Sequence, residues 1–180
     1  METIYWSLDH IVKAKVRRKR EDMFDYRSAM EAGHKFNEIV AMRLKEFGIM
    51  AEVPEFSFAK SQAEIRDYTL NDKDVIVGDR VIEVKSRNLA FTDDPSTFPY
   101  DDLIVDTVSG YEAKEPKPIA YVMVSQKTGG MFIIPTAFSN AWRVERKYDR
   151  DRKHEDDFYL TSKGLGRPFS QLVSKLKEMS

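Results

Sequence analysis

The segment from Lys73 to Arg87, Lys-Asp-Val-Ile-Val-Gly-Asp-Arg-Val-Ile-Glu-Val-Lys-Ser-Arg, constrains the fold more than any other part of the chain. Two runs rich in valine and isoleucine, residues 75–77 and 81–84, flank the pair Gly78-Asp79. This pair favours the positive φ that a tight turn needs, and β-branched residues favour strands. The segment therefore predicts a β-hairpin.

A two-residue turn fixes the register of this hairpin. The opposed pairs are then Val77–Arg80, Ile76–Val81, Val75–Ile82 and Asp74–Glu83. Because side chains alternate between the faces of a strand, Asp74, Glu83 and Lys85 share one face. Val75, Val77, Ile82 and Val84 share the other face. We expect an apolar core face and a charged face.

The charged face needs a partner, because like charges directly opposed across two strands destabilise a sheet. A divalent cation between Asp74 and Glu83 would relieve the repulsion, and Mg²⁺ is typically held by one or two carboxylates with water and substrate phosphate. An ammonium at Lys85 would position or deprotonate the attacking water and neutralise charge on a phosphate. The simpler alternative is a half-exposed hairpin in which Lys85 screens two surface acids.

Asp74, eight intervening residues and then Glu83-Val84-Lys85 on a strand resemble the core motif of the PD-(D/E)xK nuclease superfamily. This superfamily includes restriction endonucleases, Holliday-junction resolvases, and λ-exonuclease-like and RecB-like nucleases. Lys73 stands where the name of the motif has proline. The resemblance covers about residues 28–135.

The resemblance implies both a fold and a chemistry. The fold is α/β, a mixed β-sheet flanked by helices with a restriction-endonuclease-like core, and the predicted order of helix, strand, hairpin, connection, hairpin and helix is compatible with it. The implied chemistry is hydrolysis of DNA phosphodiester bonds. Asp74, Glu83 and the Val84 carbonyl would bind Mg²⁺, for which Mn²⁺ would substitute, and Lys85 would assist the water.

A helix is predicted from about Ser28 to Phe47, with Ser28 as its N-cap and Gly48 as its stop. Its apolar stripe is Phe36, Ile39, Val40, Leu44 and Phe47. Residues 33–48 resemble the first core helix of the superfamily, in which a glutamate often completes the metal site, and Glu38 is the matching position. Glu38 lies away from the centre of the stripe, so Glu31 is an alternative. A glutamate on an amphipathic helix is ordinarily just solvated.

Residues 1–27 are predicted to form a basic helical extension. Six basic residues fall within eight positions: Lys13, Lys15, Arg17, Arg18, Lys19 and Arg20. They suit an arm that contacts DNA phosphates, and Arg87 is a further candidate for such contacts. The alternative is a solvated helix end whose charge is partly cancelled by the acids at positions 21, 22 and 25.

Further elements are predicted along the rest of the chain. They are an aromatic loop over residues 88–102, a strand at 103–105, a short helix at 108–114, a second hairpin from 119 to 134, a helix from Pro135 to about Tyr148, a strand at 158–160 and a final amphipathic helix from Pro168 to Met179. We expect the aromatic side chains of the loop to pin it to the core; the alternative is a loop that lies over DNA or substrate.

Composition narrows the class of protein. The chain has 180 residues, 42% of them hydrophobic, which suits one domain. Cysteine is absent, which excludes disulfides and cysteine–zinc sites and fits a cytoplasmic protein. Neither a long apolar run nor a signal peptide is present, so no membrane contact is expected. The net charge is −1, so attraction to DNA must come from local clusters.

The sequence therefore predicts a single nuclease domain over residues 1–180, with an N-terminal extension at 1–27, a core at about 28–135 and a helical part at 136–180. The expected activity is that of a Mg²⁺-dependent DNA endonuclease, of the site-specific restriction or homing type or the structure-specific resolvase type. A homodimer is compatible with this. The alternatives are an exonuclease of the same superfamily and a non-catalytic DNA-binding protein on the same fold. No glycine loop or histidine motif marks a hydrolase of another substrate.

Overall fold

The computed structural model describes residues 31, 33–55, 73–149 and 154–179. The chain divides into two compact units, residues 1–35 and 36–180. Apart from the first residues of helix α1, everything described below belongs to the second unit. None of the described helices is both long enough and apolar enough to cross a membrane.

The second unit has a mixed α/β architecture, which confirms the predicted class. Helix α1 is described over residues 33–46. The elements that follow are β1 (Val75–Val77), β2 (Arg80–Arg87), β3 (Asp102–Thr107), α2 (Val108–Ala113), β4 (Ala120–Ser125), β5 (Met131–Pro135), β6 (Arg143–Asp149), β7 (His154–Ser162), β8 (Arg167–Pro168) and α3 (Phe169–Glu178).

The strands form two sheets. The first has five strands in the order β1-β2-β4-β5-β8, and the second has three in the order β3-β7-β6. Strands β2 and β4 run parallel, whereas their neighbours in the first sheet pair antiparallel. A parallel pair requires a long crossover, and here the crossover contains the aromatic loop, β3 and α2.

The predicted hairpin is confirmed in position and in three of its four predicted pairs, since the ladder between β1 and β2 begins at Val75 and does not include Asp74–Glu83. Val75 pairs with Ile82 and Val77 with Arg80, and Gly78 turns between the strands with φ of +60°. That positive φ explains the glycine, since other residues rarely adopt it. The register places Ile82 and Val84 in an aliphatic core beneath α1 and α3, whose buried residues there include Val40, Leu44, Leu172 and Leu176.

The opposite face of the first sheet packs against a second, mainly aromatic core. Phe91 and Phe98 from the loop are 2% and 4% exposed, and their rings lie 5.1 and 5.9 Å from that of Phe132. These contacts confirm that the loop is pinned to the core by its aromatic residues. Tyr100, by contrast, is 60% exposed.

Two helices cover the aliphatic face: α1 ends where its sequence predicts, and α3 buries the residues that its sequence predicts. Gly48, with φ of +77°, terminates α1, and the amide of Ile49 donates to the carbonyl of Leu44 at 3.1 Å. This arrangement satisfies carbonyls that the helix end leaves without partners. Helix α3 buries the four residues that the pattern selects, Phe169, Leu172, Val173 and Leu176.

The prediction of a helix from Pro135 to about Tyr148 is wrong. A 3-10 turn over Thr136–Ala141 leads into strand β6, which pairs with β7 along its whole length. Residues 143–149 have no apolar helical stripe, and the cross-strand pairing with β7 decides their conformation.

The interpretation of residues 136–180 as a helical part is therefore also wrong. The described residues of this part form three strands and one α-helix, and β8 pairs with β5 at the edge of the first sheet. The core consequently extends past residue 135, because α3 completes the cover of the aliphatic face.

Candidate active site

On the face of strand β2 opposite Ile82 and Val84, Glu83 and Lys85 form an ion pair. The ammonium of Lys85 lies 3.1 Å from Glu83 Oε1. The side chain of Glu83 is 8% exposed and that of Lys85 is 23% exposed. The alternation that buries Ile82 and Val84 on one face thus places a largely buried ion pair on the other.

Asp74 lies immediately before β1 and is tied to two neighbouring elements. Its Oδ2 accepts a hydrogen bond of 2.7 Å from the backbone amide of Val84, and its Oδ1 accepts one of 3.0 Å from the side-chain amide of Asn37 on α1. The hydrogen-bond ladder between β1 and β2 begins at the pair Val75–Ile82. The Asp74 carboxylate therefore accepts from the Val84 amide, which lies just beyond the end of this ladder.

The Val84 carbonyl points toward the edge on which Asp74 lies. The carbonyls of Val81 and Arg87 accept hydrogen bonds on the β4 side, from Ile119 and Gln126. Because the backbone groups of successive strand residues alternate in direction, residue 84 faces the β1 side. The amide of Val84, which donates to Asp74, has this direction.

Sequence reasoning missed two members of this cluster, Asp106 and Lys114. Lys114 Nζ lies 3.0 Å from Glu83 Oε1 and 3.7 Å from Asp106 Oδ2. Lys85 Nζ lies 3.5 Å from Asp106 Oδ1. The available signals were an acid near the end of an apolar strand and a lysine directly after a short helix, but the approach of β3 and α2 to β2 depends on the crossover.

Asp106 is held by neutral donors as well as by the lysines. The hydroxyl of Tyr121 on β4 donates to Asp106 Oδ2 at 3.0 Å, and the amide of Thr107 donates to Oδ1 at 2.9 Å. Thr107 also caps α2, since its hydroxyl accepts from the amide of Gly110. Burial raises the pKa of Tyr121, and the charges of Asp106 and Glu83 raise it further. The phenol therefore remains a donor.

Lys85 is held in its charged form. Burial acts to lower its pKa, but the carboxylates of Glu83, Asp106 and Asp74 outweigh this effect, so the pKa lies above its ordinary value. An ammonium of this kind donates hydrogen bonds and neutralises negative charge, and it does not accept a proton from water.

The five charged side chains form what we call the β2 charge cluster: the carboxylates of Asp74, Glu83 and Asp106 and the ammonium groups of Lys85 and Lys114. Three acids and two lysines leave a formal charge of −1. The excess negative charge and the hard oxygen donors suit Mg²⁺.

Within the described ranges, no group of three or more histidine, aspartate or glutamate side chains is arranged to hold a metal ion. Magnesium requires fewer protein ligands than this, since one or two carboxylates suffice with water and phosphate. Asp74, Glu83 and the outward carbonyl of Val84 therefore fit the ion by the chemistry of their donor atoms.

The structure describes three of the remaining predicted site residues, Glu31, Glu38 and Arg87. Glu31 and Glu38 are exposed, and Asn37, which precedes Glu38 on α1, donates a hydrogen bond to Asp74. A metal-binding role for Glu38 stays a prediction. Arg87 donates to the carbonyl of Ile104 at 3.2 Å. The basic residues Lys13, Lys15, Arg17, Arg18, Lys19 and Arg20 lie outside the described residues.

Comparison with known proteins gives no relative for this chain: no family model, curated protein or solved structure matches it.

Proposed function

We propose that this protein is a Mg²⁺-dependent DNA endonuclease that hydrolyses phosphodiester bonds through the β2 charge cluster. The observation that supports this most directly is the convergence of Asp74, Glu83 and Lys85 at the point where β1 and β2 diverge. Two acids and a charged lysine are the groups that metal-assisted attack of water on a phosphodiester uses.

Each residue has a distinct role in this proposal. Asp74, Glu83 and the Val84 carbonyl would hold Mg²⁺, with Mn²⁺ as a substitute, and Glu38 would complete the set. The bound metal supplies Lewis-acid activation of the water and of the phosphate. The Lys85 ammonium donates to the attacking water and to the phosphate oxygen that gains charge.

Lys114 and Asp106 position these groups. Lys114 shares Glu83 Oε1 with Lys85 and lies against Asp106, which in turn receives hydrogen bonds from Tyr121 and Thr107. A carboxylate held between two ammonium groups keeps its orientation without substrate, and preorganised charge of this kind is what lowers a barrier.

The burial of the cluster favours a functional role over a purely structural one. The free energy lost when charged groups are removed from water often exceeds the free energy gained from their mutual attraction, so a buried charge cluster contributes little net stability. Groups whose pKa is shifted by burial together with charged partners, as that of Lys85 is, cluster at functional sites. The five side chains here lie on four successive parts of the chain, before β1, on β2, on β3 and after α2.

DNA is the proposed substrate because the acid–acid–lysine pattern resembles that of nucleases and because the N-terminal stretch is rich in lysine and arginine. With a net charge of −1 for the chain, such local basic clusters would supply the attraction to phosphate. Both a site-specific and a structure-specific enzyme fit this proposal, and so does a homodimer that cuts both strands.

The decisive experiment is cleavage of supercoiled, linear and branched DNA with Mg²⁺ or Mn²⁺. We expect metal-dependent cutting that Lys85→Ala and Asp74→Asn abolish. Lys175→Ala, an exposed lysine on α3, serves as the matched control and should cut like the native chain. Nicking of circular DNA separates an endonuclease from the exonuclease alternative, which requires an end.

Circular dichroism of each variant must show an intact fold. If the folded native chain cuts none of these substrates but shifts DNA on a gel, and neither Lys85→Ala nor Asp74→Asn changes that shift, the catalytic proposal fails. The non-catalytic DNA-binding alternative then replaces it.

A further inference from the structure

Strand β6 is one of the two outer strands of the second sheet. Among the residues that the structure describes it pairs with β7 alone, so its other edge is unpaired there. Val144 and Tyr148 on this strand are 56% and 60% exposed. An exposed edge with apolar side chains is a template for pairing with another strand, and proteins usually block such edges.

The sequence of β6 is complementary to itself in the antiparallel direction. Consider two copies of β6 related by a two-fold axis that is perpendicular to the sheet and passes between their Arg146 residues. In each copy Arg143 then lies opposite Asp149 of the other copy, Val144 opposite Tyr148, and Glu145 opposite Lys147. Opposite charges and apolar pairs directly across two strands stabilise a sheet. Each side chain of the strand except the central one therefore meets a suitable partner.

The central position is also compatible with a second copy. Two Arg146 side chains would meet at the axis, but each is already engaged by acids on its own β7. Its guanidinium lies 3.1 Å from Glu155 and 3.7 Å from Asp157. These carboxylates neutralise the arginine before the partner approaches, so the repulsion at the axis is small.

The same pattern excludes neighbouring registers. Two-fold symmetry allows the pairing to slip only by an even number of residues, because a slip of one would oppose side chains that point to different faces. A slip of two in one direction opposes Arg143 to Lys147, and in the other it opposes Glu145 to Asp149. Both contacts join like charges, which destabilises the pairing.

We infer that β6 is a homodimer interface, in which a second copy of this chain pairs antiparallel and joins two three-stranded sheets into one of six strands. The occupant is a second copy because the charges of the strand complement themselves and no unrelated partner is needed to explain them. This inference concerns the second sheet and stands whether or not the β2 charge cluster is catalytic.

The test uses the innermost charge pair. Glu145→Lys gives a strand with two lysines facing two lysines, and Lys147→Glu gives glutamates facing glutamates. Each variant should dimerise at least about tenfold more weakly than the native chain, because symmetry repeats the repulsion. Mixed in equal amounts, the two variants should form a heterodimer, since lysines then face glutamates at both positions. Analytical ultracentrifugation over a range of concentrations measures all three.

Mixing separates the interface from effects inside one chain. Lys147 also contacts Glu145 of its own strand at 2.7 Å, and either substitution breaks that contact. Mixing cannot restore it, so recovery of the dimer reports pairing between chains. Lys175→Glu, on an exposed part of α3, is the control and should dimerise like the native chain.

Three results would overturn the inference: a native chain that stays monomeric at the highest concentration examined, a dimer that neither β6 substitution weakens, or weakened variants that fail to associate when mixed.

Discussion

The two faces of strand β2 contrast sharply, although they alternate residue by residue. Ile82 and Val84 enter an aliphatic core closed by α1 and α3, whereas Glu83 and Lys85 enter a cluster of five charges. Both faces are largely buried. On the first, burial removes apolar surface from water and stabilises the fold; on the second, it removes charges from water and costs free energy.

This contrast shows that burial of the aliphatic face raises the stability of the fold, whereas burial of the charged face lowers it. The aliphatic face tolerates exchange among residues of similar volume, because its contribution scales with buried area. The charged face depends on the identity and number of its groups, since removing one member leaves the buried charges around it only partly compensated. The predictions below test whether the two faces differ in this way.

The largest expected effect belongs to the aliphatic face. Ile82 is 0% exposed, and Ile82→Ala should lower the free energy of unfolding by about 2–5 kcal/mol through lost burial and the cavity left behind. Urea titration measures the change. Ile104→Ala, at a strand position that is 37% exposed, is the control and should cost clearly less. Equal losses at both positions would contradict the assignment of the core.

The next effect concerns the balance of charge. Lys85→Met leaves three carboxylates with one lysine, whereas Glu83→Gln leaves two carboxylates with two lysines. Without metal, we expect Lys85→Met to lower the free energy of unfolding by about 1–3 kcal/mol and Glu83→Gln to lower it less. Urea titration in chelator compares the two. A larger loss for Glu83→Gln would show that excess negative charge does not govern the cluster.

The same contrast explains how much of the fold was predictable. The Lys73–Arg87 pattern gave the turn, the register and the core face, because a positive-φ glycine and a period of two are local signals. The end of α1 at Gly48 and the buried stripe of α3 are equally local. Strand β6 was predicted as helix because its pairing with β7 is not encoded in its own apolar pattern.

The site was predictable only where its residues lie close in sequence. Glu83 and Lys85 are two positions apart, and the structure places their side chains 3.1 Å from each other. Asp106 and Lys114 come from a crossover that begins after β2, so their approach to Glu83 depends on how two sheets meet. No local sequence pattern specifies how the two sheets pack together. The contact of Asn37 with Asp74 was not predicted for the same reason, since these residues are distant in sequence.

A smaller effect is expected from magnesium itself. If the β2 charge cluster binds the ion in the native state alone, a tenfold excess over the dissociation constant should raise the free energy of unfolding by about 1.4 kcal/mol. Asp74→Asn should remove most of this gain, and Ile82→Ala should retain it despite its lower stability. Thermal unfolding with and without Mg²⁺ measures both. A gain that Asp74→Asn leaves unchanged would place the ion elsewhere.

The smallest effect tests the link between the two faces. Asn37 is 9% exposed on α1, the helix that covers the aliphatic face, yet its amide donates to Asp74 beside the charged face. Asn37→Ala should lower the free energy of unfolding by only about 1 kcal/mol, the value of one hydrogen bond. If Asp74 is a metal ligand, the same substitution should weaken stabilisation by Mg²⁺, because the carboxylate loses a group that orients it. Asn140→Ala, at an exposed position, should change neither quantity. A loss of stability with unchanged Mg²⁺ stabilisation would mean that Asn37 only packs α1 against the sheet, and the two faces would then be energetically independent.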